Sequence, residues 1–177
     1  MTDELEDEII SKTESYLDKH ENDKAVKTAD DLARVEQKDA IVWYLKGKVH
    51  YTMGEYDEAL AALAKAATIE AQKPDTWLVM GYTLIALRRY AEAKPSLEYV
   101  VAVQPENVEA TCALSILNVI LGDSASAQAH LQKALELNKS TTKKMMDYFY
   151  KKFFLDSKLV SPQEKKEIES KLKSLGV

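Results

Sequence analysis

The chain has 177 residues, 46% of them hydrophobic and 30% charged, with a formal net charge of −5. That balance gives a globular protein a sizeable core and is too apolar for a disordered chain. No apolar run approaches the roughly 20 residues that span a bilayer, and a single cysteine, Cys112, excludes an internal disulfide or a Cys-based zinc site.

In chain order, the N-terminal MTDELEDEII is acidic, the reverse of a secretory signal or transit peptide, so a cytoplasmic, reducing location is expected. Residues 40–53 place Trp43, Val49 and Met53 at helical spacing around Gly47. Gly54 then breaks the helix, because glycine tolerates positive φ and is poor inside helices. Residues 56–70 resume the pattern through Ala59, Leu63, Ala66 and Ala67, which predicts an αα-hairpin. Gly47 and Ala59 face each other across it and let the two axes approach.

Thirty-four residues later the arrangement returns. Trp43, Gly47, Tyr56, Ala59 and Leu63 map onto Trp77, Gly81, Tyr90, Ala93 and Leu97. A third copy keeps Ala127 and Leu131 in step, and Gly54, which maps to Arg88, returns as Gly122. This third copy has Thr111 and Ser115 in the Trp and Gly places. Pro95 lies a turn into its helix, where it removes a backbone hydrogen bond and is expected to bend the axis. Near the end, Ser161, Pro162 and Glu164 stand at the N-cap, N1 and N3 places of a capping box that opens a last, polar helix.

The recurring Trp43/Trp77, Gly47/Gly81, Ala59/Ala93/Ala127 and the closing Pro105 resemble the 34-residue tetratricopeptide repeat. Lys46 and His50 depart from the family's Leu and Tyr. Units of 6–39, 40–73, 74–107, 108–141 and 142–175 cover nearly the whole chain as one domain, 1–177. The outer two units are degenerate, with Ile9 and Thr13 for Trp and Gly in the first. The expected fold class is all-α, a right-handed α-solenoid of stacked antiparallel helix pairs.

In the resembled family, ligands are contacted from the second, fifth, ninth and twelfth positions of each first helix. Carried over, these are Ile41, Tyr44, Lys48 and Tyr51, then Asp75, Leu78, Tyr82 and Ile85, then Glu109, Cys112, Ile116 and Val119. Ile10, Glu14 and Leu17 extend the set at one end, and Met146, Tyr150 and Phe153 at the other. The implied groove is apolar and aromatic and suits a peptide or helix of a partner protein. Family members that grip a chaperone's C-terminal carboxylate use Lys, Asn and Arg where this chain has Tyr44, Lys48, Val79, Glu109 and Ala113, which argues against chaperone-tail binding. Two functions stay open: an adaptor with an open groove, or a self-associating element that dimerises through the groove or the aromatic final unit. The groove could equally be covered by a terminal segment of the chain itself.

Catalysis has no motif to rest on. His20, His50 and His130 lie far apart without metal-ligand spacing, no Gly-rich phosphate loop occurs, and Cys112 sits in a helix as an inert thiol. No enzyme activity, cofactor or metal is expected. Residues 143–158 interleave lysines with aromatics, but the whole chain has a pI of about 5.3. That segment therefore reads as a capping helix with Met145, Phe149 and Phe153 inward, and no nucleic acid is expected as a partner. Charge is unevenly placed: residues 138–177 hold ten lysines against five acidic residues, so residues 1–137 carry −10.

Overall fold

Asp39 opens the third helix by accepting the Ile41 amide on its carboxylate, and Gly54 closes it with φ of 81°, returning amide hydrogen bonds to His50 and Tyr51. Such local rules recur along the chain in a computed structural model that describes residues 3–35, 37–156 and 160–174. Among them every regular element is helical. The helices are α1 (Asp3–Asp18), α2 (Asn22–Val35), α3 (Ala40–Met53), α4 (Tyr56–Ile69), α5 (Pro74–Ala86), α6 (Tyr90–Val103), α7 (Val108–Leu121), α8 (Ser124–Tyr150) and α9 (Pro162–Ser174). First helices begin at 40, 74 and 108 and second helices at 56, 90 and 124, all in steps of 34. The chain divides into two compact units, Met1–Thr83 and Leu84–Val177, with the division inside α5.

In the first unit, α3 and α4 form the hairpin that the glycine and alanine pattern demands. A Cβ on Gly47 would stand 2.6 Å from Leu63 Cγ and 3.2 Å from the Ala59 carbonyl oxygen, so the axes meet where only a hydrogen fits. Ala59 and Leu63 are fully buried there. The tryptophans have a second task. Trp43 donates its indole N–H to the Gln37 carbonyl (2.9 Å), and Trp77 donates to the Ala71 carbonyl (2.6 Å). Each indole ties down the linker six residues before it, which gives the recurrence a physical reason. The Lys65 ammonium covers the Trp43 ring at 4.1 Å from its centroid. Between α2 and α3, Lys46 pairs with Asp30 at 2.6 Å.

The degenerate first unit obeys the repeat in its backbone. Positive φ occurs at His20 (56°), Gly54 (81°), Arg88 (61°) and Gly122 (81°), again in steps of 34. Two of these turns are built from glycine and two from residues that adopt the left-handed region at a cost. His20→Gly is therefore expected to stabilise the protein by about 1 kcal/mol, read as a rise in thermal midpoint. A fall would show that the imidazole makes a compensating contact.

In the second unit α7 packs against α6, α8 and α9. Every residue from 110 to 119 is buried, as befits a helix apolar all round. Ser115, standing in the glycine place, donates its hydroxyl to the Ala127 carbonyl at 2.8 Å, the counterpart of the carbonyl that crowds Gly47. A larger residue is tolerated because it makes a hydrogen bond where it would otherwise only collide. Helix α6 runs through Pro95 from Tyr90 to Val103.

α8 is two helices joined at one extended residue, Asn138 (φ −162°, ψ 99°). No Pro or Gly lies there to open a loop, so Asn138 caps the second segment at once by accepting the Thr141 amide. The turn equivalent to Gly122 falls at Asp156, whose φ of −86° breaks the series. Instead α8 widens into a π-helical segment, Lys151–Leu155. The capping box of α9 forms as its sequence requires: the Ser161 amide donates to Glu164 (2.8 Å), and the Glu164 amide to the Ser161 hydroxyl (3.3 Å).

Candidate protein-interaction site

Helix starts position the accessible part of the expected groove. Ile41 and Asp75 are the second residues of α3 and α5, held there by the Asp39 cap and by Pro74 at the first helical position. With Ile10, Ala40, Tyr44, Lys73 and Thr76 they line a concavity of about 190 Å³ in the first unit. That volume corresponds to about six waters, or one aliphatic or aromatic side chain. Ile10, Ala40 and Ile41 make an apolar floor. Tyr44, Lys73, Asp75 and Thr76 give a polar rim able to hydrogen-bond a peptide backbone. Lys73 also pairs with Glu70 at 3.6 Å.

The remaining expected residues are distributed differently. Lys48 and Leu78 are half-buried. Tyr51 and Tyr82 are 8% and 5% exposed, and their rings lie 6.4 Å apart at 35°, so they pack on each other rather than project. The Glu14 side chain lies outside the described residues. In the second unit Glu109 is half-buried, while Ile85, Cys112, Ile116 and Val119 are buried. At the far end Met146 and Phe153 are buried and Tyr150 is half-buried.

Electrostatics sharpen the contrast. Burial pushes the Cys112 thiol up to about 11, opposed by a hydrogen bond with Thr142. The thiol is therefore protonated at neutral pH and a poor nucleophile. Burial pushes the Lys152 ammonium down to about 8, with the Glu109 charge acting the other way. Lys152 donates to the Tyr148 hydroxyl at 3.0 Å and lies over that ring, so the lysine–aromatic stretch folds back on itself. Among the described residues no three His, Cys, Asp or Glu side chains converge as metal ligands, and no helix is long and apolar enough to cross a membrane.

Sequence reasoning missed Ala40, Lys73 and Thr76 at the helix starts, and it missed Arg88, which pairs with Glu164 of α9. The signal for Arg88 was visible: it stands where Gly54 and Gly122 align.

A model described as anaphase-promoting complex, cyclosome, subunit 3 matches residues 18–100, and a tetratricopeptide repeat model matches residues 78–140. The chain is a tetratricopeptide-repeat protein. As such it carries a fold that serves protein–protein interaction. No curated protein matches it significantly.

Solved structures similar to this tetratricopeptide-repeat chain include the MamA RS-1 ArsTM double mutant, 19% identical. That match has a TM-score of 0.71 and covers 98% of this chain and 97% of the other. MamA 41-end from Desulfovibrio magneticus RS-1 is 18% identical, with a TM-score of 0.71 over 99% and 95% of the two chains. Another MamA crystal structure is 13% identical, with a TM-score of 0.68 over 92% and 91%. At these identities the likeness is one of fold, and it agrees with the all-α class expected from the sequence.

Proposed function

We propose that the protein is a non-catalytic cytoplasmic adaptor that holds an extended peptide of a partner protein on the first-helix face of its first unit. The observation that carries this reading is the concavity in which Ile10, Ile41, Tyr44 and Asp75, all groove positions of the repeat, come together. An apolar anchor residue of the peptide fills the floor, and the rim groups satisfy its flanking amides. Half-buried Lys48 and Leu78 extend the surface along α3 and α5. The self-association reading receives less support, since Tyr82 and Phe153 are 5% and 4% exposed and have little surface to offer a second copy.

A random-peptide display against the purified protein tests this. Enriched sequences should share one aliphatic or aromatic residue. Ile41→Asp should weaken them at least about tenfold, as expected when a charge is placed in an apolar anchor pocket. Ile116→Val, buried in α7, should leave binding unchanged. An empty selection, or peptides indifferent to Ile41→Asp and Tyr44→Glu in folded protein, would discard the reading.

A further inference from the structure

The last helix sits on the second unit in a way that its own composition explains poorly. α9 packs against α7. Of its described side chains only Ile168 and Leu172 are buried, while Gln163, Lys166, Glu167, Ser170 and Lys171 are exposed. Glu164, Ile168 and Leu172 follow one another at four-residue steps and so share one stripe of the helix.

Glu164 is met by Arg88, which pairs with its carboxylate. Arg88 holds φ of 61° at a turn where two sister turns use glycine at 81°. A strained backbone kept by a residue whose side chain reaches another element points to a use for that side chain. The far end of the stripe fits less well. A groove of about 430 Å³ remains beside Leu172, lined by Leu131, Leu135 and Met146 together with two lysines and two acidic residues. It is open to solvent and mostly apolar, so α9 leaves part of the apolar wall beside Leu172 uncovered.

We propose that the seat of α9 is a second interaction surface, whose ligand is an amphipathic partner helix carrying Glu, an aliphatic residue and a bulky aromatic at successive four-residue steps, and that α9 is its resident, displaceable occupant. Arg88 receives the glutamate, the Ile168 site the aliphatic residue, and the groove beside Leu172 the aromatic ring. α9 holds the seat because it is tethered. A short tether supplies a high effective concentration that a weak docking face could not otherwise provide. The proposal stands apart from the peptide concavity of the first unit and shares no residue with it.

The test uses the full chain and a labelled peptide of residues 160–174 in which the residue corresponding to Leu172 is Phe. In the wild-type protein, hydrogen exchange should show α9 amides opening about tenfold or more faster than those of α7, the pattern of a locally detaching element. Ile168→Asp should release α9 and raise peptide affinity at least about tenfold, because the tethered competitor is gone. Adding Arg88→Gly should then weaken the peptide several-fold while the thermal midpoint holds or rises, since strain is relieved. Three results would overturn the proposal. In one, α9 and α7 exchange together, or α7 loses protection in Ile168→Asp, so that α9 is integral to the fold. In another, the peptide fails to bind Ile168→Asp while α7 stays protected. In the third, the mass doubles with α9 exchanged between chains, and the seat belongs to a second copy.

Discussion

Gly47→Ala is expected to destabilise the first unit by about 1–3 kcal/mol, the usual cost of forcing a methyl into a packed core. The new Cβ would stand 2.6 Å from Leu63 Cγ and 2.9 Å from its Cδ2, with the Ala59 carbonyl oxygen at 3.2 Å. Leu63 is fully buried and cannot swing away, and the carbonyl belongs to a helix backbone. The hairpin must open. Against this stands a gain of about 1 kcal/mol from replacing a mid-helix glycine by alanine. Which effect wins depends on Leu63, and that makes the argument testable. In a Leu63→Ala background the two closest contacts are gone and only the Ala59 carbonyl at 3.2 Å remains, so Gly47→Ala should become neutral or stabilising and a double-mutant cycle should show coupling that reverses the sign. Urea unfolding followed by tryptophan fluorescence reads both. A stabilising Gly47→Ala in the wild-type background would mean that the close approach of α3 and α4 costs less to disturb than the helix propensity gained.

The same contact explains why this part of the fold was legible from sequence. Gly47 opposite Ala59, and the turns at Gly54 and Gly122, are consequences of packing within one hairpin. Each is decided by residues close in the chain and repeated at a fixed offset. The groove was less legible because position in a repeat tells which way a side chain points, not what lies above it. Ile41, Tyr44 and Asp75 gather around a concavity, whereas Cys112, Ile116 and Val119, at equivalent positions of α7, are buried. The difference arises in the second unit, where the pattern fails. At Asp156 the chain does not take the left-handed turn, α8 closes in a π segment, and α9 reaches α7. Residues 139–158 hold no Gly or Pro to announce that change. Ser115 carries the opposite lesson: a departure from the motif that sequence counts as a mismatch is made good by one hydrogen bond to Ala127.

Phe154→Ala is expected to cost about 3–5 kcal/mol, the range for removing a fully buried phenylalanine. Phe154 and Phe149 are 0% and 1% exposed, and Phe149 stacks on Phe153 with centroids 5.7 Å apart and planes at 21°. In a regular α-helix consecutive residues diverge by about 100°. The π widening at 151–155 changes that divergence, and both Phe153 and Phe154 are buried there. Loss of the Phe154 ring leaves a cavity beneath this widened turn. The damage should therefore show in the hydrogen exchange of α8 beyond Asn138 and of α9 before it appears in α3 and α4. Phe154→Leu, which keeps much of the volume, should cost about 1–2 kcal/mol and leave that order intact. Phe153→Glu should behave like Phe154→Ala, because a carboxylate there would be buried without a place in water. A fall in mass on that substitution would be accompanied by lost helicity and would report unfolding rather than a parted dimer. If Phe154→Ala instead melts both units together at one lower midpoint, the final unit is a cap on which the whole chain depends. If α8 beyond Asn138 loosens alone, the aromatic cluster supports a local structure whose cooperativity ends within the second unit.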